Sequence, residues 1–314
     1  MMLAFTVRRL LYGIVLLFVI VTLAYLLLYA AAGNVGRTIL GPTATQATVA
    51  LKNKQLGLNS PLISRYFSWL GHALTGNFGS SWFTNQPVTT AIITRLQVTL
   101  TLVLGAVIIS AVVSAALGVW AALRGGWVDR VIQVFSVLGF AIPGFLIALF
   151  LVRIFALGLH WFKPTGYVPL TYYFGGWIRT VTLPIIALSI GLVAGVAQQV
   201  RSSVIDSLRQ DWVRTLRSRG ISERSVLFKH VLRNAGGPAL SVLALSFVGL
   251  LGGAVIIEQI FGIPGLGQIA VLATSQGDVP LVMGLVVAIG VLVIVVNLVV
   301  DLLQGFLNPK ARIS

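Results

Sequence analysis

Long apolar runs dominate the chain, and polar residues gather in the gaps between them. Six runs approach or exceed the length of about 20 residues that a helix needs to cross the hydrocarbon core of a bilayer. They cover residues 10–32, 98–123, 131–159, 183–200, 239–257 and 281–303. Inside lipid every backbone N–H and C=O must be bonded locally, so such runs predict helices. The strands of a membrane barrel would read as short segments of alternating polarity, and these runs are continuous. The expected fold class is all-α: a polytopic membrane protein with six transmembrane helices.

Punctuation between the runs refines this reading. Residues 61–74 predict a helix with Ser60 as its cap and Pro61 at its first position. Leu62, Tyr66, Trp69, Leu70 and Ala73 recur there at helical spacing, which marks a packing stripe or a surface for an external partner. Gly125 and Gly126 predict a tight turn. Pro143-Gly144 predicts a kink in the third span. Gly191 and Gly195 form a G-x-x-x-G step in the fourth span, and Gly249, Gly252 and Gly253 suggest close helix approach in the fifth. No internal repeat of the kind found in inverted-repeat transporters is visible. The first run has a basic start, Arg8-Arg9, but it is longer than the apolar region of a signal peptide and reads as an uncleaved span.

Composition agrees with a lipid-embedded chain. Of 314 residues 57% are apolar and only 9% charged, against about 25% charged in soluble domains. The net charge of +15 raises the question of nucleic acid, but its distribution answers differently. Six spans with both termini cytoplasmic place Arg8, Arg9, Arg124, Arg130, the eight basic residues of 201–238, Lys310 and Arg312 on one side. The other side carries Arg37, Lys52, Lys54, Arg65, Arg95, Lys163 and Arg179, mostly in the long 33–97 segment. That bias follows the positive-inside rule, so the charge sets topology and suits an anionic leaflet. Three parts result: a tail and first helix over 1–32, an extracytoplasmic segment over 33–97, and a core over 98–314 with five spans and the cytoplasmic loop 201–238. The chain has no cysteine, hence no disulfide, thiolate nucleophile or cysteine-based metal site.

The basic loop is the most informative stretch. From Asp206 to Arg219 it predicts a helix with Leu208, Trp212, Val213 and Leu216 on one face and arginines over much of the rest. Gly220 breaks it in a left-handed conformation. Ser222 begins a second helix running to Arg233, with Glu223 near its positive end, and the segment Asn234 to Pro238 ends that helix. An interfacial helix bound to headgroups would explain the arginines. It would not explain a glycine between two helices.

These residues resemble a known family. Asp211-Trp212-Val213-Arg214-Thr215, followed by Gly220-Ile221-Ser222-Glu223-Arg224, is similar to the "EAA" coupling loop of ABC importer permeases. The dipeptide/oligopeptide/nickel branch is the nearest, and His230-Val231-Leu232-Arg233-Asn234-Ala235 fits its tail. The resemblance extends over nearly the whole chain: Arg8-Arg9-Leu10-Leu11; Leu56-Gly57-Leu58 with Pro61, Tyr66 and Trp69-Leu70-Gly71; Gly76 to Ser81; Phe261 to Gly267; and Asn297, Asp301 and Asn308-Pro309-Lys310. Departures are Leu216 where alanine is usual, Gly236-Gly237 before Pro238, and Ala32-Gly33-Asn34-Val35 where the family has Pro-Gly-Asp-Pro.

The resemblance implies the transmembrane domain of a type I ABC importer in a bacterial plasma membrane, moving di- or oligopeptides by alternating access. It implies two cytoplasmic ATPase subunits holding ATP and magnesium, a second homologous permease, and an extracytoplasmic solute-binding protein. Dipeptide, oligopeptide, glutathione, nickel-chelate and sugar substrates all stay open. The ATPase-coupling residues it points to are Asp211, Trp212, Arg214, Thr215, Leu216, Arg217, Gly220, Ser222, Glu223 and Arg224, with Trp212 and Leu216 as apolar anchors.

Candidate chemistry elsewhere is sparse. A phosphate-cradling loop needs glycine directly before its lysine, and no lysine of this chain has one, so the chain is expected to be no enzyme and to bind no cofactor. No H-E-x-x-H or clustered His/Asp/Glu set has metal-ligand spacing. Polar groups in spans are costly and often functional. Arg153, Gln198 and Glu258 are therefore candidate pathway or gate residues, against snorkelling, helix-to-helix bonding and a structural ion pair. The competing reading, an ion- or proton-coupled transporter without an ATPase, calls for titratable groups deep in the spans, and few are present.

Overall fold

The computed structural model describes residues 2–31 and 35–307. Thirteen α-helices follow in order: α1 Met2–Ala31, α2 Val35–Leu40, α3 Gln46–Gln55, α4 Leu62–Leu74, α5 Val88–Arg124, α6 Gly126–Ala141, α7 Gly144–Leu151, α8 Phe174–Leu208, α9 Asp211–Ser218, α10 Glu223–Ser225, α11 Leu232–Ile260, α12 Leu266–Gln276 and α13 Val279–Leu307. Wider π-helical turns at Val152–Gly158 and Val226–Val231 extend α7 and join α10 to α11. Among the described residues there is no strand. The C-terminal motif Asn308-Pro309-Lys310, Arg312 and most of the Ala32-Gly33-Asn34-Val35 departure lie outside the described residues.

Five helices are long and apolar enough to cross a membrane, and the pair α6–α7 makes a sixth if read as one bent span. The kink expected at Pro143-Gly144 is a full break of 97°. Proline has no N–H to continue the ladder, and it pushes the preceding residue out of the helical region. Ile142 accordingly sits at φ −83°, ψ 121°. Each continuous span outruns its apolar run, because polar and aromatic residues extend the helix past the hydrocarbon.

The chain divides into two compact units. One is built on residues 99–263 with the ends of the chain, the other on 7–98 and 264–295.

In the first unit α8 is the central rod, packed against α6, α7 and α11. Its contacts with α5 are closed by small residues. Ser110 and Ser114 of α5 donate to the carbonyls of Ser189 and Val193 at 3.4 and 3.2 Å. A Cβ on Gly118 would stand 2.7 Å from both the Ala197 carbonyl oxygen and Val200 Cβ. We expect Gly118→Val to force α5 and α8 apart at a cost of about 1–3 kcal/mol, read as a lower unfolding temperature in detergent. The Gly191 and Gly195 step does bring helices together: a Cβ on Gly191 would lie 3.7 Å from the Gly139 carbonyl of α6. In the fifth span no other helix of this chain comes close: Gly249 and Gly252 have no atom within 4 Å of a Cβ position among the described residues, and Gly253 only Leu188 at 4.0 Å.

In the second unit α4 packs its stripe inward. Tyr66 is buried, shares a 2.7 Å hydrogen bond with Thr22 and meets the ring of Tyr25 edge-on. Leu62, Trp69 and Leu70 join it against Val21, Tyr25, Val279 and Met283. The helix begins one residue later than expected: Pro61, not Ser60, holds the N-cap position, with its carbonyl bonded by Arg65 N–H. The buried Asp278 ties a hairpin to the start of α13. Its carboxylate accepts from Ser81 Oγ at 2.5 Å, from the Trp82 N–H at 3.2 Å and from the Leu281 N–H at 3.4 Å. Hydrogen bonds to a charged group are worth about 1.5–3 kcal/mol each. Asp278→Ala should therefore loosen residues 79–87 first, seen as faster amide exchange there than in α8.

Candidate functional site

The basic stretch after α8 folds as an elbow, and its sequence shows why. The helix expected from Asp206 to Arg219 is broken at Arg209 and Gln210. Asp206 belongs to the last turn of α8, which ends at Leu208, and the extended Gln210 (φ −71°, ψ 147°) restarts the chain as α9. Val213 is fully buried in the core that Leu192, Val196, Val200 and Val204 of α8 share with Val226, Leu227 and Val231 of the second π-helical turn. Trp212 and Leu216 pack on the same core, so the face expected to hold the apolar anchors is turned largely inward. Fully burying a valine is worth about 1.5–3 kcal/mol, enough to hold a two-turn helix that would not stand alone.

The end of α9 is a Schellman motif. Gly220 N–H bonds the Arg217 carbonyl at 2.9 Å, and Ile221 N–H bonds the Leu216 carbonyl at 3.2 Å. Leu216 and Ile221, the two apolar ends of the motif, both pack on the core. Gly220 takes φ +77° as expected, with open space around it, so conformation rather than crowding demands glycine here.

Beyond the glycine two expectations fail. Ser222 stands at the N-cap position of α10, but its side chain makes no capping bond. The fastening comes instead from Arg217, which grips Glu223 with Nε to Oε1 at 2.6 Å and Nη2 to Oε2 at 3.0 Å. That pairing raises the Arg217 pKa above its ordinary value. Nor does the second helix end at Asn234 to Pro238. It runs unbroken through Pro238 to Ile260. α8 likewise runs through Pro184, so a proline within these long apolar helices does not by itself end them.

The outer face of the elbow is polar and accessible. Asp211, Arg214, Thr215, Arg217, Arg219, Ser222, Glu223 and Arg224 are all exposed. Arg214 and Asp211 are 80% and 97% exposed, and their charged ends are 3.8 Å apart, too open a pair to add much stability. Thr215 Oγ1 turns back to the Asp211 carbonyl at 3.1 Å.

The three candidate pathway residues are not brought together. Arg153 is exposed in the first π-helical turn. Glu258 is fully buried near the end of α11 and accepts a 2.5 Å hydrogen bond from Thr99. Gln198 is exposed and lines a polar cleft between α6 and α8 with Gln133, Gly195, Gln199, Arg201 and Ser202. Gln199 bonds Ser203 one turn along its own helix at 3.1 Å. Beside this cleft lies an ion pair that sequence reasoning missed. Arg201 of α8 holds Asp129 of α6 through Nε and Nη2, and Gln133 adds a 3.0 Å bond to the same carboxylate. The sequence carried little signal for it: Asp129 stands in the first turn of α6, where an acidic residue is favourable even without a partner.

This elbow, carried between apolar spans, is matched by more than its own residues. Residues 114–313 match the family described as "Binding-protein-dependent transport system inner membrane component", and residues 2–103 match the N-terminal family of the same system. The chain belongs to this family of inner membrane transport components. A probable peptide ABC transporter permease of Sinorhizobium fredii is 36% identical over 309 residues, covering 98% of this chain and 99% of that protein. The glutathione transport system permease of Salmonella typhi is 34% identical over 312 residues, covering 99% of each. Among solved structures, the inward-facing MetNI methionine ABC transporter aligns with a TM-score of 0.52 at 15% identity, over 69% of this chain and 96% of that one. That likeness shows the fold of an ABC importer transmembrane domain. As a binding-protein-dependent transport component, the chain is a polytopic protein of the bacterial inner membrane, and the family implies an ATPase and a binding protein beside it.

Proposed function

We propose that this chain is one permease subunit of an ATP-driven importer of di- or oligopeptides, and that the elbow over residues 211–224 receives the ATPase stroke. It has no ATPase of its own; the complex holds two nucleotide-hydrolysing subunits, one of which seats on this elbow from the cytoplasm. A second, homologous permease completes the pathway, and an extracytoplasmic solute-binding protein delivers the peptide. Both termini and the elbow lie on the cytoplasmic side. Peptides are favoured because full-length relatives are named for peptide or glutathione transport.

The observation that carries the mechanism is the way the elbow is fastened. Val213 is locked into the core shared by α8 and the start of the fifth span, while Arg214 and Arg224 face outward. A push on α9 therefore reaches α8 and α11 without being lost in a flexible loop. ATP biases one of two arrangements through contacts that differ between them. Asp211, Thr215 and Ser222 shape the polar contact face, Arg214 and Arg224 supply its charge, Arg217 and Glu223 stiffen it, and Gly220 sets its angle. Trp212 and Leu216 present their remaining exposed edges to the ATPase groove.

The test is co-purification of the assembled complex followed by ATP hydrolysis with and without loaded binding protein. We expect the ATPase subunits to be retained and hydrolysis to rise on adding loaded binding protein. Reversing charge at both Arg214 and Arg224 should release the ATPase while the permease stays folded. Peptide uptake driven by an ion gradient in the purified chain alone would defeat the proposal.

A further inference from the structure

We propose that Gln133 of α6 and Gln198 of α8 line a water-filled station on the transport pathway that hydrogen-bonds the backbone of a passing peptide. This rests on the peptide-importer reading and adds the side chains that would meet the solute. The cleft between α6 and α8 has a volume of about 360 Å³. A water's share of the liquid is about 30 Å³, so the cleft has room for several. Among the described residues no hydrogen bond involves the Gln198 amide, and the side chain is exposed. An unpartnered amide facing hydrocarbon costs several kcal/mol; one facing water or a polar solute does not. Gln133 spends one N–H on Asp129 and keeps its carbonyl for another donor.

The chemistry of the lining fits one class of solute. A primary amide both donates and accepts, and so does each backbone unit of a peptide, whatever its side chains. Two such amides on facing helices match an extended backbone without reading its sequence. Charge does not spoil the match. The only guanidinium in the cleft, Arg201, is neutralised by Asp129, so a peptide's terminal carboxylate meets no bare cation that would trap it. Passage needs contacts firm enough for entry and weak enough for release, and neutral amides provide that. Gly195 keeps the wall between them open, the nearest atom to a Cβ there being Phe140 Cε2 at 3.8 Å.

The absence of cysteine makes the test clean. Gln133→Cys, Gln198→Cys and, as control, Phe135→Cys are placed singly in the complete transporter in proteoliposomes. Phe135 shares α6 with Gln133 but is 69% exposed on an apolar face. Each variant is treated with a charged, water-soluble methanethiosulfonate. The two glutamine positions should react at least about ten times faster than the control. Uptake of labelled trialanine by the Gln198→Cys transporter should already be reduced, and modification should abolish what remains, while hydrolysis stimulated by binding protein persists. In unmodified transporter Gln198→Asn should keep uptake and Gln198→Leu should lose it. Reaction no faster than at the control would overturn the proposal, as would fast reaction with uptake still equal to that of the unaltered transporter. Failure of the unaltered transporter to take up any peptide would strike the peptide-importer reading, while the reactivity comparison would still judge the water-filled station.

Discussion

Replacing Gly220 with valine is expected to lower ATP-driven uptake about ten-fold while membrane insertion and yield stay intact. The residue sits at φ +77°, where an ordinary L-residue pays about 1–2 kcal/mol and a β-branched one more. Nothing stands within 4 Å of its Cβ position, so no clash unfolds the protein. The strain instead shifts the elbow away from its working angle, and about 1.4 kcal/mol is a tenfold change in population. Asparagine tolerates the left-handed region, so Gly220→Asn should recover most of the uptake. Ala at the same position should fall between the two. Wild-type uptake by the valine variant would show that the angle of the elbow does not matter.

The second large effect is expected at Asp129. Removing it leaves the Arg201 guanidinium facing α6 without its carboxylate. The two side chains retain only 14% and 26% of their exposure. Breaking a fully buried pair costs about 3–5 kcal/mol; with this residual access to water the cost is about 2–3 kcal/mol. Asp129→Ala should lower the unfolding temperature of the purified transporter in detergent by several degrees. The swap Asp129→Arg with Arg201→Asp should restore part of it, since the pair is rebuilt in reverse. An unchanged melting curve for Asp129→Ala would mean that the bond between α6 and α8 carries no stability.

Much of the architecture was legible because its causes are local. Apolar length marks a span whatever it packs against, so five continuous spans and the α6–α7 pair stand where the runs fall. Pro143 announced an interruption, and Gly220 announced a left-handed turn, since each acts through its own backbone. The boundaries were less legible. α11 runs through Pro238 as α8 runs through Pro184, and the extended backbone at Gln210 splits a helix whose apolar spacing looked continuous. Least legible were bonds between distant residues. Asp129 and Arg201 are separated by 72 positions, and Ser81 and Asp278 by 197; no periodicity records such pairs. The inward turn of Val213 followed the same pattern. Its face could be drawn from helical spacing, but whether that face meets this chain's core or a partner's groove depends on where α8 and the second π-helical turn come together.

The most direct measurement uses Arg214, the exposed arginine of α9, replaced by cysteine in this otherwise cysteine-free chain. The variant would be assembled in sealed inner-membrane vesicles of known orientation and treated with a short thiol-to-amine cross-linker. The account predicts a product joining the permease to the ATPase subunit, with labelling from the cytoplasmic face and a yield that changes when ATP is added. Labelling only from the opposite face, or no polypeptide captured in a complex that still transports, would contradict it.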